Sequence, residues 1–553
     1  MSGVFYRVRS LALVVLVAVA ASTSGAVPAK GQKIMVAGPS PYAVDIAREI
    51  HLKGGNAVDV TVACLLSMAV THPYYASLGG GGFALVKMGS ETKALDFRER
   101  APAAAGPDLY KDKPENAPRD GGLAVGVPGI SAGLWDLHKK YGKLKWKELF
   151  PPAIALAEKG FRVSGEWAAL TARNAERFND AGLKLFFHKD KVPLKPGDLL
   201  KQPGLAALLK DLSVSGPKAF YEGKHAQDLV QTVKATGGIV TAEDLKSYKT
   251  RWLEPITADF AGYKIHLMPP PSSGGVVIKQ ALRLMELTKL GEKAPLSTDE
   301  FHYLTEIMKL SYRGRSLLGD PDFAKNPIAE LTDEKYLAKL AAMIAPNKSI
   351  DVEPLKEVKF EPPSTTHISV MDGNGDAVAM TVTINGDWGS GVVTQKTGVA
   401  LNNEMDDFTT IPGKPNMFGL IQGEANQVRA GARPLSSMSP TIAVKDGKAV
   451  LAVGAPGGPR IISSVLQVTY RALTQKIDVE QAVQAPRVHH QFLPNVVKYD
   501  DFRFSPETVE ALKARGHKLE TGSTGKVYAI RREPDGILTG SADMRGEGAA
   551  GGL

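Results

Sequence analysis

The stretch PPSTTHISVMDGNGDAVAMT, residues 362–381, marks a change of pattern in the middle of the chain. Two strand-like runs, 365–372 and 377–384, flank the turn residues GNGD, which predicts a β-hairpin. The preceding region, from about 130 to 350, is mostly helical. Further strands at 441–445 and 449–453 and helices near 460–475 and 505–515 follow. This order predicts a layered α+β domain with its sheet inside.

The first part of the mature chain shows alternating helix and strand signals. A helical stripe at 42–53 stops at Gly54-Gly55, and Asn56 with Asp59 forms a capping pattern for an apolar helix that runs to residue 70. LGGGGFALV then leads into a buried strand, and KALDFRERAP alternates like another strand. Helices are predicted to start after Thr241 and Ser297 and at the small residues of MPPPSSGG.

Composition excludes several classes of protein. The chain has 553 residues, 43% hydrophobic and 23% charged, which is typical of a large globular protein. The net charge of +9 comes from scattered Lys and Arg, so we expect no nucleic-acid partner. The single cysteine, Cys64, lies in an apolar run and is expected to be buried. One cysteine excludes an internal disulfide and the cysteine frameworks of zinc fingers and iron–sulfur clusters.

The N-terminus has the layout of an export signal. Arg7 and Arg9 precede an apolar run at 11–21 and then small residues, which predicts a signal peptide over 1–26 with cleavage after Ala26. The run is too short to span a bilayer, so no stable membrane span is expected. The mature protein is expected to be exported, either periplasmic or secreted.

Motifs for phosphate or metal chemistry are missing or incomplete. The sequence has neither GxxxxGK[ST] nor HExxH, and the glycines at 79–82 lack dinucleotide spacing, which favours a tight turn with close backbone packing. His489 and His490 are adjacent and would point to opposite faces of a strand. We therefore expect metal-free chemistry without a cofactor.

Thr365 has two possible roles. It can be an ordinary strand residue, or it can be the first residue of a second chain, whose α-amine acts as base for its own hydroxyl. The second role needs cleavage before Thr365, and Glu361-Pro362-Pro363 is expected to form an exposed loop that keeps the bond out of regular structure. It also needs an oxyanion hole, for which Gly457-Gly458 lies near a predicted helix start. Spacing alone does not decide between the two roles.

A family resemblance favours the second role. STTHISVMDGNGDAVAMTVTIN, ALNNEMDDF, RPLSSMSPT and GAPGGPR follow one another in the order of the γ-glutamyltranspeptidase family of N-terminal nucleophile hydrolases. LGGGGF, LDFRERAP, GGLAVGVPG and MPPPSSGG are similar to the large-subunit half of that family. The resemblance covers residues from about 36 to 545. It implies a four-layer αββα fold, built jointly by a large subunit, 27–364, and a small subunit, 365–553.

The resemblance also implies roles for individual residues. Cleavage between Ser364 and Thr365 would make Thr365 the nucleophile, oriented by the hydroxyl of Thr383. The loop at 412–423 resembles the lid of bacterial members. The remaining assignments are the oxyanion-hole glycines Gly457 and Gly458; the α-carboxylate ligands Arg98, Ser436 and Ser437; and the α-ammonium ligands Asn385, Glu404 and Asp407.

The implied reaction is cleavage of the γ-glutamyl amide of glutathione and related donors, with transfer to water or to amino acids and peptides. Two subunits from one precursor would form a heterodimer. One alternative is an acylase or processing enzyme of the same fold, specific for glutaryl-cephalosporin or polyglutamate. Another is an inactive binding homologue, which the presence of Thr365 and Thr383 argues against.

Overall fold

The computed structural model describes residues 27–352 and 363–553, with side chains from Thr365 onward in the second range. The predicted signal peptide at 1–26 and the residues Glu361-Pro362 lie outside the described residues.

Nineteen strands occur in the described ranges, and we number them in chain order. They are β1 (Ala29–Gly31), β2 (Ile34–Gly38), β3 (Gly81–Met88), β4 (Glu91–Phe97), β5 (Phe161–Arg162), β6 (Leu199–Leu200), β7 (Arg251–Leu253), β8 (Ile256–Phe260), β9 (Tyr263–Leu267), β10 (Pro363–Asp372), β11 (Ala377–Gly386), β12 (Thr441–Lys445), β13 (Lys448–Gly454), β14 (Val488–His489), β15 (Val497–Tyr499), β16 (Leu519–Thr521), β17 (Tyr528–Arg532), β18 (Leu538–Ala542) and β19 (Ala549–Gly552).

The same ranges contain eighteen α-helices. They are α1 (Tyr42–Leu52), α2 (Ala57–Thr71), α3 (Pro73–Ala76), α4 (Ile130–Tyr141), α5 (Pro151–Lys159), α6 (Gly165–Arg173), α7 (Asp180–Phe186), α8 (Pro203–Ser215), α9 (Lys218–Tyr221), α10 (Gly223–Ala235), α11 (Ala242–Lys246), α12 (Gly274–Leu287), α13 (Thr298–Tyr312), α14 (Ile328–Leu331), α15 (Glu334–Ala342), α16 (Arg460–Thr474), α17 (Val479–Gln484) and α18 (Pro506–Ala514).

Two antiparallel seven-stranded sheets form the centre of the molecule. One has the strand order β19-β2-β10-β11-β3-β4-β7, and the other has the order β1-β18-β17-β13-β12-β9-β8. Alternate residues of β10 belong to different cores: Ile368 and Val370 pack against helices such as α2, whereas Met371 faces the second sheet. Helices α12 and α16 cover the outer face of the second sheet. The predicted four-layer αββα sandwich is confirmed.

Several local predictions are confirmed as well. Asn56 caps α2 and exchanges hydrogen bonds with Asp59 in a capping box, and Thr241 and Ser297 cap α11 and α13. Cys64 is fully buried.

Other strands carried no sequence prediction. β2, β7 to β9 and the C-terminal strands β17 to β19 were not expected. β2 is the apolar run IMVAG, which is buried at every position and therefore does not alternate. β19 is AAGG, which has neither β-branched nor aromatic residues. Strand formation at these places depends on pairing with distant parts of the chain, which local pattern does not reveal.

The glycine run of LGGGGF allows β3 to lie directly against β11 and the adjacent loops. A side chain at Gly80 would begin 2.0 Å from the carbonyl oxygen of Thr383, and one at Gly82 would begin 2.4 Å from that of Thr381. At Gly81 the space is filled by the carboxylate of Glu99, 2.5 Å away. The predicted role of these glycines in close packing is confirmed, and it places β11 and Glu99 at the centre of the fold.

The bond before Thr365 lies inside a strand. β10 begins at Pro363, so the prediction that the prolines keep this bond out of regular structure is wrong. A proline can occupy the first position of a strand because no ladder bond is required of its nitrogen there. The pairing is nevertheless irregular at this point, because Pro363 pairs with Gly386 and Thr365 pairs with Thr383. An advance of two residues along β10 is therefore matched by three residues along β11, as in a β-bulge.

Candidate active site

Thr365 and Thr383 face each other across the central hairpin. They form a register pair, and their hydroxyl oxygens are 3.2 Å apart. The irregularity in β11 turns Asn385 into the left-handed region, with φ of 74°, and its N–H donates to the Thr383 hydroxyl at 2.8 Å. The Thr383 oxygen is therefore held in place by the backbone. Thr365 is 5% exposed, at the junction of two cavities.

Two candidate oxyanion donors lie beside Thr365. Gly457 and Gly458, between β13 and α16, have φ values of 140° and 57°, which favour glycine. Their N–H groups donate to no acceptor among the described residues, although neighbouring amides in this turn are bonded. Two unbonded amides just before the N-terminus of a 15-residue helix can stabilise a developing oxyanion.

A small closed cavity of about 20 Å³ extends from Thr365 towards the polar residues that the sequence singled out. Gly457 lines a second, open cavity, which also contains Thr365. The predicted donor-binding and oxyanion-hole residues therefore all lie around Thr365. The closed cavity is lined by Arg98, Arg315, Thr365, Thr383, Asn385, Glu404, Asp407, Phe418, Leu420, Ser436, Ser437, Met438, Gly458 and Ile461.

Arg98 binds two carboxylates in this closed cavity. Its two terminal nitrogens donate to Glu404 and, at 2.6 Å, to Asp407, and its Nε donates to the carbonyl of Pro434 at 3.2 Å. The carboxylates come from a short 3₁₀ helix, Glu404–Asp407, whose start is fixed by Asn402 accepting from the Glu404 N–H. Burial raises the pKa of both carboxyl groups, although the positive charge of Arg98 opposes the shift.

Glu99 lies beside the candidate site, next to Arg98, and the sequence did not single it out. Its carboxyl group is fully buried, 3.5 Å from Arg98 and within hydrogen-bonding reach of the Glu404 carboxyl group. Neither of its oxygens accepts a hydrogen bond from an N–H or hydroxyl group in the part of the chain that the structure describes. Burial raises its pKa to about 7, against the opposing charge of Arg98. The only sequence feature that could have indicated its role is its position directly after Arg98. That position is a poor guide, because the side chains of adjacent residues in an extended segment usually point in opposite directions.

Arg315 is a second cation in the closed cavity, and no sequence pattern marked it. Its guanidinium donates to the hydroxyl of Ser273 at 3.0 Å, to Gln422 at 2.9 Å and to the hydroxyl of Ser437 at 3.4 Å. Burial lowers its pKa to about 10, so it stays charged at neutral pH. Arg315 brings a positive charge to the predicted carboxylate ligands Ser436 and Ser437, which are otherwise uncharged.

The two serines are held by the segment MPPPSSGG. The N–H of Ser436 donates to the carbonyl of Pro271 at 2.7 Å, and the Ser273 hydroxyl donates to the carbonyl of Ser436 at 2.8 Å. A side chain at Gly274 would begin 1.9 Å from the hydroxyl of Ser439. The small residues therefore bring two distant segments into contact.

The predicted lid at 412–423 covers the closed cavity. Asn416 donates to Asp407 at 3.2 Å, and Phe418 lies 3.0 Å from the position where a side chain of Gly458 would begin. The closed cavity holds roughly one water molecule. A larger ligand can enter only if lid side chains such as Phe418 and Leu420 shift.

Two groups of residues with metal-ligand chemistry line neither of the cavities at Thr365. His489 and His490 bond to different partners, Ser463 and Asn495, as their predicted divergence requires. His302, Glu306 and His517 converge, but the two imidazoles bond to each other at 2.8 Å and Lys309 pairs with Glu306 at 2.9 Å. Of the ligand atoms in these three side chains, only Nδ1 of His517 has no hydrogen-bond partner among the described residues.

Comparison with known families identifies the relationship. The profile described as Gamma-glutamyltranspeptidase matches residues 43–553. This chain belongs to the γ-glutamyltranspeptidase family. The resemblance predicted from the sequence motifs is thereby confirmed.

Two curated relatives of this γ-glutamyltranspeptidase family member span nearly its whole length. It is 41% identical to the glutathione hydrolase proenzyme of Escherichia coli strain K12, covering 94% of this chain and 91% of that protein. It is 40% identical to the glutathione hydrolase proenzyme of Pseudomonas aeruginosa, covering 99% of both chains.

A solved enzyme structure with a different name has the same fold. The crystal structure of cephalosporin acylase from Bacillus halodurans superposes with a TM-score of 0.85 at 25% identity, covering 95% of this chain and 97% of that one. Overall fold therefore does not distinguish the predicted activity from the acylase alternative.

Proposed function

We propose that this γ-glutamyltranspeptidase family member is an autoprocessed γ-glutamyltransferase and glutathione hydrolase with Thr365 as nucleophile. One observation carries the proposal: Thr365 stands opposite Thr383, between unbonded glycine amides and a closed cavity of buried arginines and carboxylates. The close relation to two glutathione hydrolase proenzymes supports the same donor class.

Maturation would begin with the Thr365 hydroxyl oxygen adding to the carbonyl carbon of Ser364. The peptide nitrogen leaves with the hydroxyl proton, and the chain is then joined through an ester. Water hydrolyses this ester, which frees the Ser364 carboxylate and restores the hydroxyl of Thr365, now with its own α-amine. The products would be a large subunit, 27–364, and a small subunit, 365–553, that remain together as a heterodimer.

Catalysis would use the new α-amine as base, since an amine of this kind has a pKa near 8. It takes the proton of the Thr365 hydroxyl while the oxygen attacks the γ-carbonyl carbon of the donor. The amides of Gly457 and Gly458 stabilise the oxyanion, and the proton passes to the departing amine. Water, an amino acid or a peptide amine then attacks the γ-glutamyl ester, releasing glutamate or a new γ-glutamyl compound and returning the proton to Thr365.

The charges of the closed cavity suit a zwitterionic glutamyl group. In the absence of substrate, Arg98 is neutralised by Glu404 and Asp407. An α-carboxylate can bind Arg98, Arg315 and the two serines while the α-ammonium takes over the freed carboxylates, so that no buried charge loses its partner. Asn385 would supply an uncharged contact beside the ammonium.

A glutaryl group lacks the α-ammonium and would leave buried carboxylates unpaired. This argues against a glutaryl acylase despite the shared fold. Loss of a required polar partner typically lowers kcat/KM by up to about 10⁴-fold in sites built around a hydrogen bond.

The proposed setting is extracytoplasmic, periplasmic or secreted, on the basis of the N-terminal export signal. No helix among the described residues is long and apolar enough to cross a membrane.

The test compares the purified protein with Thr365→Ala on a denaturing gel and in an activity assay. We expect the wild type to run as two bands, Thr365→Ala as one, and γ-glutamyl-4-nitroanilide to be cleaved much faster than glutaryl-4-nitroanilide. An unbroken, fully active wild type would refute the mechanism. Equal cleavage of the two anilides, or a preference for glutaryl, would refute the substrate assignment.

A further inference from the structure

An open cavity of about 440 Å³ lies on the other side of Thr365, where the departing amine must leave. This volume is within the range of small-molecule sites. Its lining includes the charged side chains of Glu166, Arg173, Asp387, Arg460 and Lys526, together with Tyr75.

Two of the three cations in this cavity have acidic partners. Lys526 pairs with Glu166, which also accepts a hydrogen bond from Tyr75 at 2.5 Å. Arg173, whose side chain is 56% exposed, lies 3.7 Å from Asp387.

Arg460 differs from these cations. Within 27–352 and 363–553, it has neither a salt bridge nor a side-chain hydrogen bond, and its Nε is buried without a partner. Burial lowers its pKa, but a guanidinium remains protonated at neutral pH. A largely buried positive charge without a counter-ion is unfavourable unless a ligand supplies the anion.

The five arginines that are at most 4% exposed among the described residues provide a comparison. Among the described residues, Arg98, Arg433, Arg471 and Arg487 each pair with a carboxylate. Arg315 instead bonds to uncharged groups, and it lines the closed cavity proposed to receive a substrate carboxylate. Arg315 and Arg460, which both lack a carboxylate partner among the described residues, thus line the two cavities that meet at Thr365.

Arg460 also has the right position relative to the candidate oxyanion donors. It is the first residue of α16, and its N–H donates to the carbonyl of Gly457 at 3.1 Å. Its Cβ is 3.3 Å from the point where a side chain of Gly457 would begin. Arg460 therefore lines the open cavity close to Gly457, one of the candidate oxyanion donors.

We propose that Arg460 binds the terminal carboxylate of the peptide that leaves the donor, and of the acceptor that replaces it. This rests on the proposed γ-glutamyl transfer and adds a specificity for the other half of the substrate. For glutathione the ligand is the glycine carboxylate of the departing dipeptide. Hydrogen bonds to charged groups lead us to expect an effect of about 10-fold or more on kcat/KM.

The experiment measures hydrolysis of glutathione and of its glycine monoethyl ester, which lacks only that charge. We expect the processed wild type to prefer glutathione by about 10-fold or more, and Arg460→Gln to reduce the ratio to near one, mainly by raising the KM for glutathione. Arg173→Gln is the matched control because it removes an exposed, paired cation from the same cavity, and it should keep the wild-type ratio.

The results distinguish failure of the role of Arg460 from failure of the proposed function. A wild type without preference, or an Arg460→Gln variant that keeps it, would overturn the role of Arg460. If Arg460→Gln is not processed, Arg460→Lys decides: a reduced preference supports the proposal, because lysine cannot bind bidentately, and an unchanged preference overturns it. If the wild type hydrolyses neither donor, nor γ-glutamyl-4-nitroanilide, the proposed function itself has failed.

Discussion

Substitution of Gly458 tests the oxyanion hole most directly. At φ of 57° an L side chain is strained by roughly 1–2 kcal/mol, and at Gly458 it would also begin 3.0 Å from a ring carbon of Phe418. Alanine can tolerate this by a small movement of the ring. Valine is branched at Cβ and relieves the strain only if the backbone rotates, which turns a donor away from the oxyanion.

Loss of one oxyanion donor typically lowers kcat by about 10²–10³-fold, or about 3–4 kcal/mol of transition-state stabilisation. We therefore expect Gly458→Val to lose this much kcat with γ-glutamyl-4-nitroanilide, and Gly458→Ala to lose less. Gly447→Ala is the control: its φ is 74°, but no atom lies within 4 Å of the added methyl group, so it should be strained yet fully active.

The assay is steady-state kinetics on protein that a gel shows to be processed. A processed Gly458→Val with kcat within about 3-fold of the wild type would show that the oxyanion hole lies elsewhere. If the valine variant remains unprocessed, Gly458→Ala carries the measurement: a kcat below that of Gly447→Ala supports an oxyanion hole at Gly458, and an equal kcat in the two alanine variants counts against it.

Two further predictions concern the charges around Arg98. Asp407→Asn should lower kcat/KM for γ-glutamyl-4-nitroanilide by roughly 10- to 100-fold, because a charge-assisted hydrogen bond to the α-ammonium is lost. The effect on glutaryl-4-nitroanilide should be smaller. An equal effect on the two substrates would contradict the proposed contact between Asp407 and the ammonium. The pKa of Glu99 is raised from 4.5 to about 7 in the folded protein. Between these two pH values the folded protein holds a proton that the unfolded chain has released. The free energy of unfolding therefore falls as the pH rises through this range. Glu99→Gln should reduce the difference in Tm between about pH 5 and about pH 8, measured by thermal unfolding, and an unchanged difference would assign the pH dependence to the other carboxyls, Glu404 and Asp407.

The parts of the fold that the sequence predicted have local causes. Asn56 and Asp59 cap α2 through atoms three residues apart, and the turn between β10 and β11 joins adjacent strands. β19 pairs with β2, from the opposite end of the chain, and β9 pairs with β12 across more than 170 residues. Such pairings depend on long-range geometry, so neither AAGG nor YKIHL identified its partner.

The site residues likewise fall into two groups, those that sequence motifs predicted and those that only the folded structure shows. The predicted residues occur in motifs that also supply their supports: Asn402 holds Glu404, and Asn385 holds Thr383. Arg315 and Arg460 were not predicted, because their significance depends on which carboxylates are absent around them. Arg460 stands two residues after Gly458, yet only the arrangement of the folded chain shows that nothing among the described residues neutralises it.

The two cavities at Thr365 therefore imply different kinds of specificity. In the closed cavity Arg98 is already paired with Glu404 and Asp407, so a ligand that binds there must replace both sets of contacts at once, and a zwitterionic glutamyl group does so. The open cavity has one unpaired cation and space for variable side chains. A single charge fixes one end of a ligand and leaves the rest unconstrained. The two proposals together therefore predict strict selection of the γ-glutamyl group and tolerance for many carboxylate-bearing amines.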